Sequence, residues 1–307
     1  MLTRINYMKS AKYWIVLSVV LSVIGLAALG IWGLNTGIDF TGGNVYDIQF
    51  EQKVTQADIE QAVTTVVGNN YQVQASQPKG EAAAAGSGFF VRTQELDGAK
   101  RADLMKGLEA LGKYTVASEE NVSGAVSKEL TQKAALALAV AAALQLIYIW
   151  LRFDYKFGIT AVVAILHDAI ITLGMMAIFR VQVNSAFVAA IMTVLGYSMN
   201  DTVVVIDRIR ENLAQRKKGE ALAAMVTRSI QEVITRSLTT GVSVQVMLIA
   251  MLVFGGDTIW DFSMTLLIGV TSGTYSSIFI ASALWLFWTE ATEARKKTAG
   301  KGRPVKA

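Results

Sequence analysis

The sequence predicts an α-helical membrane protein with six transmembrane helices and one small extracytoplasmic α+β domain. The 307-residue chain is 53% hydrophobic and only 17% charged, which is too apolar for an ordinary soluble domain. Six stretches approach the roughly 20 apolar residues that span a bilayer. Between the first two lies a segment that alternates strand-like and helix-like patterns, which indicates a folded domain.

The spans divide the chain into five parts. The six predicted spans are Trp14–Leu34, Ala134–Leu151, Phe157–Phe179, Ser185–Ile206, Ser237–Phe254 and Phe262–Trp288. The parts are an N-terminus (1–13), a first transmembrane helix (14–36), an outer domain (37–127), transmembrane helices two to six (128–288) and a basic tail (289–307). The first stretch exceeds the apolar region of a signal peptide, about 7–15 residues, so we expect an uncleaved anchor.

The basic residues predict the orientation. Eighteen Lys and Arg lie in the N-terminus, the loop 152–156, the loop 207–236 and the tail, against ten in the other connections. The positive-inside rule therefore places both termini in the cytoplasm. Within the loop 207–236, the segment LAAMVTRSIQEVI is amphipathic and flanked by basic residues, which predicts a helix lying on the inner membrane surface.

The outer domain predicts a ferredoxin-like order of elements. NVYDIQF, YQVQAS, GFFVRTQ and YTVASEENV have strand patterns, while TQADIEQAVTTVVG and AKRADLMKGLEALG have helical spacing. Thr55 is the predicted N-cap of the first helix. The order βαββαβ is that of a split βαβ fold. Such a sheet has one open face, which suits either docking on another protein or a role as a spacer.

Polar residues inside the spans indicate the functional site. Ionisable groups in a membrane are costly, so Asp168 in the third span and Asp201 in the fourth are candidate functional residues. Asp201 and Arg236, which opens the fifth span, fall in the same half of the membrane. A mobile Arg236 could switch Asp201 between holding and releasing a proton. The alternative is a static pair that fixes helix packing.

Two neighbouring features allow simpler interpretations. Asp168 belongs either to the same proton path or to a hydrogen-bonded packing contact, and His167 is expected to make helix contacts. In the sixth span, Gly269, Gly273 and Ser277 recur at every fourth position, a close-packing face toward a helix of this chain or of a partner.

Composition excludes several classes of site. The chain has no cysteine and one histidine, so thiolate chemistry, disulfides and multi-histidine metal sites are excluded. We find no phosphate loop, catalytic triad or nucleic-acid motif. The prediction is a protein that is not an enzyme and has no metal, no cofactor and no nucleic-acid partner.

Four motifs resemble the SecF family. They are GIDFTGG (Gly37–Gly43), LHD in the third span, GYSMNDTVVVIDRIREN (Gly196–Asn212) in the fourth and TRSLTTG in the fifth. SecF is the smaller subunit of the bacterial SecDF protein-export factor, related to the RND superfamily. With the six spans and the position of the outer domain, the resemblance covers nearly the whole chain.

The resemblance implies a function and partners. SecF-like chains pair with SecD into a twelve-helix, pseudo-symmetric bundle that associates with the SecYEG channel and, in some systems, with YajC and YidC. The complex uses the proton-motive force to pull translocating polypeptide across the bacterial inner membrane. In the family, the aspartate and arginine at the positions of Asp201 and Arg236 belong to the proton pathway, and Asn200 is expected to orient or hydrogen-bond Asp201.

Three alternatives remain open at this stage. GIDFTGG is either a structural hinge, with Gly37 ending the first span, Gly42 and Gly43 allowing a tight turn and Asp39 at the interface, or a proton-entry point. The chain is either a proton-driven export subunit or a scaffold for translocon assembly. A third possibility, an RND-type half-transporter of small lipophilic molecules, predicts a larger outer domain.

Overall fold

The computed structural model describes residues 7–68, 71–76, 78, 86–256 and 259–301, with the side chains of residues 296–301 excepted. The start of the predicted N-terminus, most of the predicted flexible connection KGEAAAAGSG and the end of the basic tail lie outside these residues. The chain divides into two compact units, Met1–Asn35 with Ala137–Ala307, and Thr36–Leu136.

The elements follow one another with short connections. A 3₁₀ turn (Tyr7–Ser10) leads into the first helix, and a π-helical turn (Ser277–Ala281) separates the last two. In chain order the helices and strands are α1 (Ala11–Trp32), β1 (Asn35–Thr36), α2 (Ile38–Thr41), β2 (Gly43–Phe50), α3 (Gln56–Val67), β3 (Tyr71–Ser76), β4 (Ser87–Thr93), α4 (Gly98–Glu109), β5 (Tyr114–Val122), α5 (Gly124–Arg152), α6 (Tyr155–Phe179), β6 (Gln182–Val183), α7 (Ser185–Ala214), α8 (Leu222–Phe254), α9 (Trp260–Ser276) and α10 (Ser282–Lys301).

Six helical segments of the described residues are long and apolar enough to cross a membrane, as the sequence predicts. The sixth is built from α9, the π turn and α10 without a break between them. The fifth differs from the prediction. LAAMVTRSIQEVI does not form a separate surface helix, because it is the first part of the continuous 33-residue α8.

The apolar face of that segment explains the difference. Met225, Val226 and Ile230 are fully buried in α8, and they belong to one cluster with Ile206 and Ile209 of α7. The amphipathic pattern therefore packs on a neighbouring helix of the same chain and not on lipid. At about 1.5 Å per residue, α8 exceeds the roughly 30 Å hydrocarbon layer, so it extends beyond the membrane.

Glycines bring two pairs of spans into close contact. Gly25 of α1 faces Gly174 of α6, where a Cβ on Gly174 would lie 2.3 Å from the Gly25 Cα. In α9, a Cβ on Gly269 would lie 2.2 Å from Val194 Cγ2, and one on Gly273 would lie 3.0 Å from Ser198 Cβ. The predicted stripe of α9 therefore packs against α7 of this chain, since only small residues permit such an approach.

The unit Thr36–Leu136, here called the outer unit, contains a four-stranded antiparallel sheet in the order β3-β4-β2-β5. This is the ferredoxin-like arrangement expected from the βαββαβ sequence. Its core joins the sheet to the two helices: Tyr46, Ile48, Phe50 and Val91 with Ile59, Val63, Leu104 and Leu108, all fully buried. On the other face of β2, Gln49 Nε2 donates to Asp47 Oδ1 at 2.6 Å.

Helix caps and one ion pair fix the ends of this unit. The predicted N-cap Thr55 accepts from the Asp58 backbone N–H, and the Asp58 carboxylate accepts from the Thr55 N–H, a capping box. Arg101 of α4 holds Glu119 of β5 through two donors, at 2.7 and 2.5 Å. The hydrogen bonds from Arg101 keep the pKa of Glu119 below its ordinary value. The pair therefore stabilises the fold at neutral pH and is lost on strong acidification.

The segment GIDFTGG forms the short helix α2 between Gly37 and Gly42. The first helix ends at Trp32 with Gly33 as its C-cap, and Gly37 is instead the N-cap of α2. The prediction that Gly37 ends the first span was therefore wrong, because the helix ends at Trp32 and a short connection follows before Gly37. Gly42 and Gly43 have φ of 72° and 121°, and a Cβ on Gly43 would lie 2.1 Å from the Thr93 carbonyl oxygen. Both glycines are required where the chain enters β2.

We expect Gly43→Ala to destabilise the outer unit by about 3 kcal/mol, because it combines an unfavourable φ with a clash against the backbone of β4. The midpoint of thermal unfolding of the purified protein in detergent measures this. Gly98→Ala is the matched control, since Gly98 has no heavy atom within 4 Å of an added Cβ. Equal midpoints for the two variants would contradict the close approach of β2 to β4.

The unit Met1–Asn35 with Ala137–Ala307 contains most of the spans and is here called the membrane unit. We expect Gly269→Ala to destabilise it by about 1–3 kcal/mol through overpacking against Val194. Val194→Ala in the same chain should restore most of the loss by making room for the new methyl group. Gly196→Ala, on α7 with nothing within 4 Å of the added Cβ, should cause no loss. If Gly269→Ala unfolds at the wild-type temperature, α7 and α9 do not pack as closely as described.

Candidate functional site

The site is formed by two aspartates on neighbouring spans and by hydroxyl groups of the sixth span. Asp168 lies on α6 and is 0% exposed, and Asp201 lies on α7 and is 7% exposed. Asp168 shares one face of α6 with Thr160, Ala164 and Thr172, because these residues recur at every fourth position. All four are buried, so this small, polar face points at other helices.

Four groups surround the Asp168 carboxylate, two at each oxygen. Oδ2 accepts from Ser198 Oγ of α7 at 2.5 Å and from Ser276 Oγ of α9 at 2.6 Å. Oδ1 accepts from Ser272 Oγ of α9 at 2.7 Å and lies 3.0 Å from His167 Nδ1. The hydrogen-bonding capacity of this buried carboxylate is thus well satisfied, which a carboxylate in an apolar bundle requires.

The helix periodicity explains how three spans supply these donors. Ser272 and Ser276 are one turn apart on α9 and therefore share a face. Ser198 lies opposite them because Gly273 leaves no side chain between α9 and α7; an added Cβ there would lie 3.2 Å from Ser198 Cα. The glycines thus permit the close packing that brings the hydroxyl groups to Asp168.

Asp201 has a different environment. Ser277 Oγ, at the start of the π turn, donates to Asp201 Oδ2. Ser237 of α8 also lies near this carboxyl group, and Arg236, the residue before it, is close enough to act on Asp201 electrostatically. Arg236 is itself exposed, however, and no hydrogen bond or ion pair joins it to another described residue. The predicted pair is therefore an interaction of charges without direct contact.

Asn200 does not have the expected contact. Its side chain is exposed, on the side of α7 away from the buried Asp201, because consecutive helical residues point about 100° apart. It hydrogen-bonds to no described residue, so the prediction that it orients Asp201 is wrong for this structure. Tyr197, one turn before Asp201, instead has its hydroxyl 3.3 Å from Thr274 Oγ1.

His167 makes the predicted helix contacts, and one of its two ring nitrogens has no hydrogen-bond partner among the described residues. Its ring lies 6.4 Å from that of Tyr275, and its Nδ1 is the Asp168 contact described above. Nε2 is buried without a hydrogen-bond partner among the described residues. The described part of the chain contains no group of three or more His, Asp or Glu side chains that could hold a metal ion.

DRIREN, the end of the motif Gly196–Asn212, forms an ionic network that is separate from the two aspartates. Arg152 at the end of α5 donates to Asp207 at 2.6 Å, and Arg208 donates to Glu232 of α8, also at 2.6 Å. Asn212 donates to the same Glu232 carboxylate at 2.7 Å. These contacts join α5, α7 and α8 at positions on α7 that lie about two to three helical turns beyond Asp201.

The sequence did not identify the serines as functional residues. Gly269, Gly273 and Ser277 were recognised as a packing stripe, yet Ser277 is also the hydrogen-bond donor to Asp201. The available signal was the pair of buried aspartates, since each needs hydrogen-bond donors, and the sequence of the sixth span concentrates hydroxyl side chains between Thr271 and Ser277. The π turn Ser277–Ala281 could not be predicted from the sequence pattern.

Comparison with known proteins gives the family. The model described as "Protein export membrane protein SecD/SecF, C-terminal" matches residues 103–291, and "SecD/SecF GG Motif" matches residues 28–54, which include Gly42 and Gly43. SecF of Sebaldella termitidis is 35% identical over 281 residues, covering 91% of this chain and 90% of that protein. SecF of Pseudomonas aeruginosa is 34% identical, with 94% and 92% covered.

A solved structure agrees with the sequence relatives. The crystal structure of SecDF from Thermus thermophilus aligns with a TM-score of 0.81 and 30% identity, and the match covers 94% of this chain but 39% of that one. The chain therefore spans about two fifths of the SecDF chain. The two family models, the SecF relatives and the fold together show that this multi-pass membrane protein belongs to the SecF family of protein export membrane proteins.

Proposed function

We propose that the chain is the SecF subunit of a proton-driven accessory complex that promotes late steps of protein export. The observation that carries this proposal is Asp201, a buried carboxylate inside a span that accepts a hydrogen bond from Ser277 and lies near Arg236, a cation with no hydrogen bond or ion pair to another described residue. In a membrane such a group is a candidate for proton binding. The SecF relatives are named protein translocase subunits, which supports the export role over enzymatic catalysis.

The environment of Asp201 supports a change of state on protonation. Ionised Asp201 attracts the Arg236 guanidinium, and protonation removes that attraction. Arg236 has a long, flexible side chain and no hydrogen bond to another described residue, so its head group is free to move when the charge changes. One elementary charge crossing 100 mV releases about 2.3 kcal/mol, enough to shift a balanced arrangement of helices about fiftyfold.

We infer that SecD completes the complex. Relatives from Bacillus subtilis and Thermus thermophilus are named SecDF, and the matching region covers 39% and 40% of them. The other three fifths of those SecDF proteins would correspond to the part that we propose SecD supplies. Lipid-facing and partner-facing surface is available, since only 6% of the apolar window of α5 and 17% of that of α8 is buried within the chain. SecYEG, YajC, YidC and the translocating polypeptide are further proposed partners.

The placement in the cell follows from the same proposal. The chain would lie in the bacterial inner membrane, with both termini cytoplasmic and the ferredoxin-like domain outside, as the distribution of Lys and Arg indicates. The twelve-helix bundle of RND type would form with SecD. An independent half-transporter of small molecules is less well supported, because Thr36–Leu136 is a small unit with a packed core.

The scaffold alternative is favoured by one observation. The hydroxyl groups around Asp168 satisfy it so completely that this residue has the environment of a packing contact. A scaffold requires only that the helices assemble, whereas proton coupling requires that Asp201 titrates.

Asp201→Asn distinguishes the two functions. In cells depleted of this protein and supplied with the variant at matched membrane levels, we expect secretory precursors to accumulate, because an amide cannot bind and release a proton. The measurement is the ratio of precursor to mature secreted protein after pulse labelling, with co-purification of SecD as the check on assembly. Asp207→Asn is the matched control, since it makes the same change on α7 at a side chain that is 31% exposed and pairs with Arg152 and Arg210, where each ion pair is worth at most about 1 kcal/mol. Normal export with Asp201→Asn would establish the scaffold function instead.

A further inference from the structure

Two consecutive serines contact two different carboxylates. Ser276 Oγ donates to Asp168 at 2.6 Å, and Ser277 Oγ donates to Asp201. Both serines are 0% exposed, so water does not replace these bonds at the surface. A single peptide unit therefore connects the donor of one buried aspartate to the donor of the other.

Each serine also has a second acceptor on its own helix. Ser276 Oγ lies 3.3 Å from the Gly273 carbonyl oxygen, and Ser277 Oγ lies 3.2 Å from the Thr274 carbonyl oxygen. A hydroxyl group has one hydrogen, so it donates fully to one acceptor at a time. When the carboxyl group is protonated, its O–H can donate to the serine oxygen while the serine hydrogen turns to the carbonyl. Both protonation states are then hydrogen-bonded.

The two serines lie at a change of helix type. α9 ends at Ser276 and the π turn begins at Ser277. A π turn inside a span replaces the i−4 bonds of the α-helix with longer ones, and such turns are frequent at functional sites. The hydroxyl groups that respond to the two aspartates are therefore at the point in the sixth span where two backbone hydrogen-bonding patterns meet.

We propose that Ser276 and Ser277 are positioning residues that couple Asp168 to Asp201, so that a proton at one carboxylate changes how the other is held. Proton binding at Asp201 turns the Ser277 hydroxyl toward Thr274, which moves the start of the π turn and with it Ser276. The step breaks no covalent bond; one proton is bound and hydrogen bonds are exchanged. This inference rests on the proposed role of Asp201 and adds Asp168 as a second, coupled position.

The groups that face the two aspartates are few. Asp168 is faced by His167 of its own helix, by Ser198 of α7 and by Ser272 and Ser276 of α9. Asp201 is faced by Ser277, by Ser237 of α8, by the charge of Arg236 and by Tyr197 of its own helix. No single side chain of the described residues is hydrogen-bonded to both aspartates, so the adjacent residues Ser276 and Ser277, one on each carboxylate, form the proposed link between them.

Infrared difference spectroscopy of the full chain in complex with SecD, in lipid vesicles, tests the coupling. The C=O stretching band of protonated Asp201 is assigned by its loss in Asp201→Asn. We expect Asp168→Asn to shift this band, and we expect the shift to disappear when Ser276→Ala and Ser277→Ala are added. Ser282→Ala is the matched control, because Ser282 is equally buried in the same span and donates only to the Ile278 carbonyl.

The possible results separate this inference from the proposed function. An Asp201 band that is unchanged by Asp168→Asn, or shifted equally with and without the two serines, overturns the coupling. So does the absence of any band that depends on Asp201. If Asp201→Asn blocks export while the coupling is absent, the proposed function stands and only this inference fails. If the coupling is present while export is normal, the serines connect two carboxylates that do not drive export.

Discussion

The need to place carboxylates inside an apolar bundle determines much of the membrane unit. A buried, ionised carboxylate is strongly unfavourable unless hydrogen-bond donors replace the water it loses. Asp168 obtains its donors from α7 and α9 as well as from its own helix, so three spans must approach within hydrogen-bonding distance of one side chain. The glycines of α9 permit this approach, and the serines of α7 and α9 supply the donors. Asp201 is the less completely surrounded of the two, with Ser277 as its hydrogen-bond donor and Ser237 nearby.

The features that follow local rules could be predicted from the sequence. The six spans, the βαββαβ order and the capping box at Thr55 depend on hydrophobic periodicity and on residues within one turn of each other. The strands YQVQAS and YTVASEENV have the predicted limits because turn residues bound them. The buried aspartates were identifiable for a similar reason, since a charge in an apolar run is unusual wherever it occurs.

The features that depend on packing between helices could not. The amphipathic segment before Arg236 has the same pattern whether it packs on lipid or on α7, and only the position of α7 decides. Asn200 adjoins Asp201 in sequence but lies on the exposed side, because the rotation of α7 is set by its other contacts. Ser277 was visible as a small residue, yet its hydroxyl group acquires a role only once α9 and α7 are placed together.

The π turn has a consequence for the last span as a whole. A π turn accommodates one residue more than an α-helical turn, so everything after Ala281 is rotated by about 100° relative to an uninterrupted helix. That rotation aims Trp285 at Phe157, where the two rings stack 4.7 Å apart with an interplanar angle of 5°. The side chains of the two halves of the sixth span therefore differ in their rotation about the helix axis. The first half directs its serines at the aspartates, and the second half directs Trp285 at α6. An insertion or deletion of one residue there would preserve the helix and misalign one half completely.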